Sequence, residues 1–544
     1  MSNEIEGPFD VVVLGSGAAG LTAALVARIH GARVTVLGKA SQIGGTSAWS
    51  GGMIWIPNNP HMRAKGIADS REEALTYLAA LSHDLILPEL AEAYVDTGPE
   101  MVSWLETNTS VRFQMVEEFP DYHPEFPGGK PEGGRSLECP LMSFHSLGDA
   151  ASRVTVGSNY GTAPVSMSES NLGRAIPLGV SDEERARRQI EDLRGCGQSL
   201  IGHLFRACIE HGIEIHTDSA AVDLCLADGE ITGVEYQRGG EVHDIKCRAV
   251  ILASGGFEWN RDMVRDFLRG PMTHPVSVPS NEGDALRMCM RIGAKLGNMR
   301  EAWWMPAIEI PTDDGFRTHL FASERARPRS IMVNRKGRRF TNEAANYNAF
   351  GAAFHEQDVA AFDYANLPCW FIFDQGLMDR FGFVDIPKGS KAPNWISQAA
   401  TAEELAVKLG INADGLRETL QHWNTIVVPQ QKDEAFGRGE SAHDNWWGDP
   451  NNKGTPAATL GALDQPPYYA VEVKSGALGT KGGPRTDPLA RVLHVDDAPI
   501  PGLYAAGNVM ASAMGMTYGG AGGTLGPGMV FGFLAGRHAA GLPQ

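Results

Sequence analysis

An α/β fold is predicted by three observations near the start of the chain. A valine-rich apolar run covers Phe9 to Leu14, a glycine-patterned turn follows it, and a second apolar run covers Arg33 to Leu37. The first run ends abruptly at Gly15, as a buried parallel strand ends at its turn. Between the runs, Leu21 to His30 reads as a helix that stops before Gly31. Strand, turn, helix and strand fit within about thirty residues, the size of one βαβ unit.

The turn reads Gly15-Ser16-Gly17-Ala18-Ala19-Gly20, which is G-x-G-x-x-G. Its first glycine makes the tight turn, its second admits a pyrophosphate, and its third lets helix pack on strand. The helix N-terminus offers N–H donors and partial positive charge to the phosphates. A Rossmann-like, dinucleotide-binding domain is therefore expected. One feature departs from that pattern: the second strand should end in an acid that takes the ribose hydroxyls, yet it ends Leu37-Gly38-Lys39. Lys39, a backbone carbonyl or water is left to cover the ribose. Gly44-Gly45-Thr46-Ser47 and Ser50-Gly51-Gly52 place small residues and hydroxyls where a backbone runs close to a cofactor.

Further along, Ser70 with Glu73 and Ser181 with Glu184 have capping-box spacing and open helices over 71–82 and 182–194. Ala227-Asp228-Gly229 marks a hairpin between two alternating segments. Ala249 to Ala253 reads as a buried strand leading into Ser254-Gly255-Gly256. From about 285 to 465 glycine signals thin and helical patterns return, at 402–409 and 415–426. A chain of 544 residues exceeds one core. The expected division is a cofactor domain over 1–285 and 466–544, with an inserted α+β substrate domain over 286–465.

Composition narrows the partners. With 65 acidic against 47 basic residues the net charge is −18, which disfavours nucleic acid and anionic membrane surfaces. No run of about 18 apolar residues occurs, so no integral membrane segment is expected. Glu4, Glu6 and Asp10 stand where a secretory signal would carry Lys or Arg. Seven cysteines without a CxxC pair or metal-ligand spacing read as reduced thiols of a cytoplasmic protein, and no metal is expected. His145, His274 and His355 lack ligand partners at useful spacing, and Arg327 and Arg329 read as structural pairs. Trp303 and Trp304 suit core packing at least as well as a pocket wall.

GGTSAWSGGMIWIPNN at 44–59 closely resembles the matching segment of the FAD-dependent 3-ketosteroid dehydrogenases, relatives of the fumarate reductase flavoproteins. In the same order follow Asp121-Tyr122-His123-Pro124-Glu125, Arg325-Ala326-Arg327-Pro328, Gly337-Arg338-Arg339-Phe340-Thr341-Asn342-Glu343, GTKGGP at 479–484, GLYAAGN at 502–508 and TYGGAGGTLGP at 517–527. The resemblance implies FAD, bound non-covalently because no histidine motif for a covalent flavin occurs. It implies a cofactor site on Gly15, Ser16, Gly17, Ala18, Ala19, Gly20, Lys39, Gly44, Gly45, Thr46, Ser47, Ser50, Gly51 and Gly52, continued by Val222, Ser254, Gly255, Gly256, Gly507, Asn508, Gly523, Thr524 and Leu525. Met529 to His538 reads as a helix whose N-terminus faces the flavin pyrimidine.

Desaturation beside a ketone needs a polarised carbonyl, a base for the acidified α-proton and a hydride acceptor at the β-carbon. The resemblance implies Tyr518 and the Gly522 N–H as donors to the ketone oxygen, Tyr347 as the base and Tyr122 as its support. The expected substrate is a hydrophobic cyclic ketone, foremost a 3-ketosteroid desaturated at the 1,2-bond, with a quinone or similar acceptor. The alternatives are a Δ4-desaturase or a desaturase of smaller cyclohexanones, a fumarate-reductase-like enzyme, and an electron-transfer subunit with no substrate of its own.

Overall fold

In the computed structural model, which describes residues 4–541 apart from 158, 171 and 174–178, the first apolar run forms the strand Phe9–Leu14. It lies parallel to Val34–Leu37 on one side and to the end of Glu241–Leu252 on the other, with Val11 opposite both Val34 and Ala249. Glu214–His216 extends the sheet past Val34–Leu37, and Pro499–Ala505 with Arg491–Leu493 extends it past Glu241–Leu252. Phe9–Leu14 is thus central, and Val11, Val12 and Val13 are fully buried, which accounts for the unbroken apolar run.

The connecting helix is Ala18–Ile29 and ends before Gly31, whose φ is 95°. It starts three residues earlier than its apolar periodicity indicated, because Gly17 serves as the N-cap and the two alanines run straight into the helix. Its apolar residues continue around the cylinder because a second helix, Leu525–Ala539, covers it. Glycines allow that approach: a Cβ on Gly532 would lie 2.5 Å from the Ala19 carbonyl oxygen, and one on Gly536 2.4 Å from that of Ala23. Leu525–Ala539 also begins four residues before the expected Met529, since the Gly-Pro-Gly segment is its first turn.

Ala220–Ala227 and Glu230–Arg238 form the expected hairpin, with φ of 51° at Asp228 and 83° at Gly229 as a two-residue type I′ turn requires. Ser70 and Ser181 cap Arg71–Ala80 and Asp182–Ile190, each accepting from the N–H three residues on at 3.1 Å.

A second, antiparallel sheet runs in the order Gly315–Leu320, Ala302–Thr312, Tyr468–Thr480, Cys369–Asp374, Ser330–Asn334. One face packs Ile331, Val333 and Ile372 against Leu405, Leu416 and Leu420 of the helices Ala402–Leu409 and Ala413–His422. The other carries Phe321, Phe371, Phe373 and Phe383. Tyr468–Thr480 is its middle strand, so the chain returns to the first sheet only after Thr480, later than position 466. A strand carries no mark of which sheet it joins, and the glycines of this one suited either. All seven cysteines are free, and no helix among the described residues is long and apolar enough to cross a membrane.

Candidate active site

One cavity of about 460 Å³ runs from the first βα turn to the edge of the second sheet. At the nucleotide end the wall is backbone. Gly15 has φ 119° and a Cβ there would lie 2.2 Å from the Ala253 carbonyl oxygen, so only glycine fits. Gly17 gives its helix no side-chain cap, and Ser47 Oγ takes the Ala18 N–H at 3.1 Å, leaving the rest of the first turn to a ligand's phosphates.

Of the expected cofactor positions, Gly15, Ser16, Gly17, Ala18, Ala19, Lys39, Gly45, Thr46, Ser47, Ser50, Gly51, Gly52, Ser254, Gly255, Gly507, Asn508, Thr524 and Leu525 line this cavity. Gly20, Gly44, Gly256 and Gly523 stand behind its wall, where they permit close packing. A Cβ on Gly20 would lie 2.0 Å from the Gly15 carbonyl oxygen, and one on Gly256 2.2 Å from Thr480 Oγ1. Val222 does not line the cavity; its carbonyl accepts from Arg291 Nη1, and the neighbouring Ser219 and Ala221 face the cavity instead. Lys39 lines the cavity, but its ammonium is held by Glu282 and by Asp284, the latter at 2.8 Å. Asp284, which sequence reasoning missed, also lines the cavity and begins the helix Asp284–Arg291. It brings a carboxylate from remote sequence to the end of the second strand, where Gly38 has none.

At the far end three phenols converge. The Tyr122 hydroxyl donates to that of Tyr347 at 2.9 Å, and the Tyr518 ring lies 5.0 Å from Tyr122 and 5.6 Å from Tyr347, centroid to centroid. Thr524 Oγ1 donates to the Tyr518 hydroxyl at 2.9 Å, so that hydroxyl's own proton remains for another acceptor. Burial drives the Tyr347 pKa well above the usual tyrosine value, and the adjoining phenols push the same way. Burial likewise raises those of Tyr122 and Tyr518. Gly522, with φ 100°, completes this wall; a Cβ there would meet the Ile54 backbone at 2.6 Å.

Three separate stretches of chain are pinned together to make this end. The Tyr122 N–H donates to the Gly519 carbonyl at 3.0 Å, and Tyr77 donates its hydroxyl to the same oxygen at 2.7 Å. Beneath them Trp55 Nε1 donates to Asp121 Oδ1 at 2.7 Å, and Asp121 also takes Arg135 Nη1 at 2.8 Å. Tyr347 opens the turn Tyr347–Ala349, which Asn346 caps by accepting the Ala349 N–H. The preceding backbone is fixed by the buried Arg325, which donates to the Glu343 and Ala345 carbonyls. Glu343 itself is buried between Arg339 and Arg438, and these cations outweigh its burial to hold its carboxyl down near 2. The Gly-Arg-Arg-Phe-Thr-Asn-Glu segment therefore builds a support for Tyr347.

The remaining sequence candidates are structural. Trp303 and Trp304 are buried and outside this cavity, His274 pairs with Glu309, His355 meets Trp304 edge-on, and Arg329 pairs with Asp374 and Asp464. Arg327 donates to the Gly448 carbonyl, and His145 lies at the surface beside the Ile190 carbonyl.

A nucleotide cradle opening onto a wall of phenols defines a flavoprotein oxidoreductase. The chain belongs to the FAD binding domain family, whose pattern matches residues 10–525. It is 42% identical to the 4-oxocyclohexanecarboxylate 2-dehydrogenase of Sinomonas cyclohexanicum, over 98% of this chain and 93% of that one. It is 39% identical to a 3-oxosteroid 1-dehydrogenase of Mycobacterium tuberculosis, over 98% of both. The crystal structure of 3-ketosteroid delta1-dehydrogenase from Sterolibacterium denitrificans in complex with 1,4-androstadiene-3,17-dione matches with a TM-score of 0.91 at 35% identity, over 98% of this chain and 100% of that one. A flavocytochrome c3 fumarate reductase shares the fold at TM-score 0.65. This chain is an FAD-dependent dehydrogenase of that group.

Proposed function

We propose that the chain desaturates a cyclic ketone between its α- and β-carbons, and that the substrate is a 3-ketosteroid oxidised at the 1,2-bond. The convergence of Tyr122, Tyr347 and Tyr518 beside Gly522 carries this reading. The free proton of the Tyr518 hydroxyl and the Gly522 N–H hydrogen-bond the ketone oxygen and strengthen their hold as it turns into an enolate. Tyr347 takes the acidified α-proton, and the Tyr122 hydroxyl, already donating to it, stabilises the resulting phenolate. Phe119, Leu172 and Trp447 line the cavity and keep water from the enolate. Bound FAD supplies the hydride acceptor.

The charges at the cavity support a neutral substrate. Among its described lining residues the basic side chains are Lys39, paired at the nucleotide end, and His319, held by Glu324 at 3.1 Å. A substrate carboxylate would meet Glu324 rather than a free cation. The relative that acts on 4-oxocyclohexanecarboxylate nevertheless has the higher identity of the two dehydrogenases above, and supports a second reading with the same chemistry on a small keto acid. Electrons then pass to a quinone or comparable acceptor, and the seven free thiols suit a cytoplasmic protein.

Anaerobic mixing with a 4-ene-3-ketosteroid, a 5α-saturated 3-ketosteroid, 4-oxocyclohexanecarboxylate and succinate tests the reading. Flavin bleaching by the 4-ene steroid, with a new 1,2-double bond in the product, is the expected result. Bleaching by the keto acid alone would transfer the mechanism to the smaller substrate, and no bleaching by any ketone would end the proposal.

A further inference from the structure

Lys481 lies in the Gly-Thr-Lys-Gly-Gly-Pro segment and takes no part in the chemistry derived above. It is fully buried, an expensive place for an ammonium. Its Nζ donates to the Thr517 carbonyl at 2.6 Å, and Thr517 immediately precedes Tyr518. The same ammonium stands 4.0 Å from the centre of the Trp303 ring, and that ring meets the Tyr518 ring edge-on at 4.8 Å. Trp303 is fixed in turn, its Nε1 donating to Asn508 Oδ1 at 2.9 Å. The backbone of Lys481 is anchored on both sides, through its N–H to the Glu301 carbonyl and through its carbonyl from the Ser512 N–H, each at 2.9 Å. The two charged groups facing it are Glu301 and Arg269, which pair with each other at 3.4 Å; Glu301 attracts the Lys481 ammonium and Arg269 repels it, so Glu301 compensates the charge only in part.

We propose that Lys481 is the positioning residue of Tyr518: its ammonium, clamped between the Thr517 carbonyl and the face of Trp303, sets the phenol that receives the ketone oxygen and adds positive charge behind it. This rests on the assignment of Tyr518 as donor to that oxygen. A uniform apolar residue would have packed this site without the cost of burying a charge. What the charge adds is a field that does little to a neutral ketone and favours its enolate. Burial pushes the ammonium down to about 7, with Arg269 acting the same way and Glu301 opposing, so the field is present in acid and lost in mild alkali.

The test uses holoenzyme of the wild type, Lys481→Met and Lys481→Arg, with 4-nitrophenol as an ionisable mimic of the enolate, read by difference absorbance. Lys481→Met is expected to raise the apparent pKa of bound 4-nitrophenol by about one unit and to lower kcat about tenfold or more with little change in KM. Lys481→Arg, charged throughout, is expected to restore nitrophenolate binding and to lose a decline in kcat above neutrality that the wild type shows. Unchanged nitrophenol ionisation in Lys481→Met overturns the proposal. Should Lys481→Met fail to fold, a Lys481→Arg enzyme that keeps the wild-type decline overturns it equally. Failure of every ketone to bleach the wild-type flavin would instead remove the proposed function, while the nitrophenol comparison would still decide the role of Lys481.

Discussion

Tyr122 donates its hydroxyl proton to the hydroxyl of Tyr347 at 2.9 Å, within a wall where the two residues are only 4% and 5% exposed. The contact matters because, once Tyr347 has lost its proton, a hydroxyl donating to it stabilises the negative charge. Tyr347→Phe removes the base and is expected to slow flavin reduction by at least about a hundredfold, with ketone binding retained. Tyr122→Phe removes only one hydrogen bond to the phenolate and should cost about tenfold. Stopped-flow bleaching with each variant measures both, and wild-type rates in Tyr347→Phe would take the base away from this residue.

The pH dependence follows from burial. The Tyr347 pKa is raised well above its ordinary value, so the fraction able to act as base grows with pH across the neutral range. Flavin reduction is expected to accelerate with rising pH up to neutrality, up to tenfold per unit where this step limits, above which loss of the Lys481 charge opposes and reverses the gain. Stability moves the other way. Tyr77, Tyr94, Tyr122 and Tyr347 are all held protonated by burial, beyond the pH of about 10 at which an unfolded chain releases such protons. Their contribution is complete below that pH and lost as pH rises through and beyond it. Thermal melts from pH 7 to 11 should show a level Tm followed by a steep fall, and a pH-independent reduction rate would contradict the first expectation.

Asp121 ties Trp55, Lys130 and Arg135 together directly beneath Tyr122. It is 2% exposed and accepts from Trp55 Nε1, the Lys130 N–H and Arg135 Nη1, while the next residue supplies the Tyr122 phenol. Asp121→Ala leaves the buried Arg135 with only Asp69 as its carboxylate partner and should destabilise the protein by about 3 kcal/mol. Its kcat is expected to fall further than the stability loss explains, because the Tyr122 loop is released from the glycine segment 519–522. Calorimetry beside steady-state kinetics separates the two effects, and an unaltered kcat in a folded variant would count against the positioning role.

Legibility in the sequence followed how local each feature is. Phe9–Leu14, the turn after it and the Asp228-Gly229 hairpin were readable because neighbouring residues encode them through periodicity or positive φ. Tyr122, Tyr347 and Tyr518 were singled out through the resemblance, since nothing local separates a catalytic phenol from a packed one, and what the structure adds is their convergence. Val222 was expected at the cofactor, yet Ser219 and Ala221 line the cavity and Val222 does not, for a strand's facing depends on its register and bulges. The assignment of Tyr468–Thr480 to a sheet, the Asp121 contact with Trp55 and the placement of Asp284 beside Lys39 depend on segments far apart in sequence, 66 residues for the second and 245 for the third, and no short window contains them.

The nucleotide end offers a test independent of the ketone. Gly38 ends the second strand where an acid is usual, and Asp284 supplies a carboxylate there, tied to Lys39 at 2.8 Å. If that carboxylate takes a ribose hydroxyl of FAD, Asp284→Ala should weaken FAD retention about tenfold to a hundredfold, the size of one charge-assisted hydrogen bond. Loss of the pairing to Lys39 is a competing cause, and a second substitution separates them. A Cβ on Gly38 would find its nearest neighbours, Ser16 Oγ and the His216 carbonyl oxygen, at 3.6 and 3.7 Å, so a side chain is accommodated. Gly38→Glu in the Asp284→Ala background should therefore restore FAD affinity if a carboxylate at the ribose is what was lost. Fluorescence titration of the apoprotein with FAD reads both steps. Recovery in the double variant assigns the ribose to an acid borrowed from remote sequence, and continued weakness would leave Asp284 as a partner of Lys39 only.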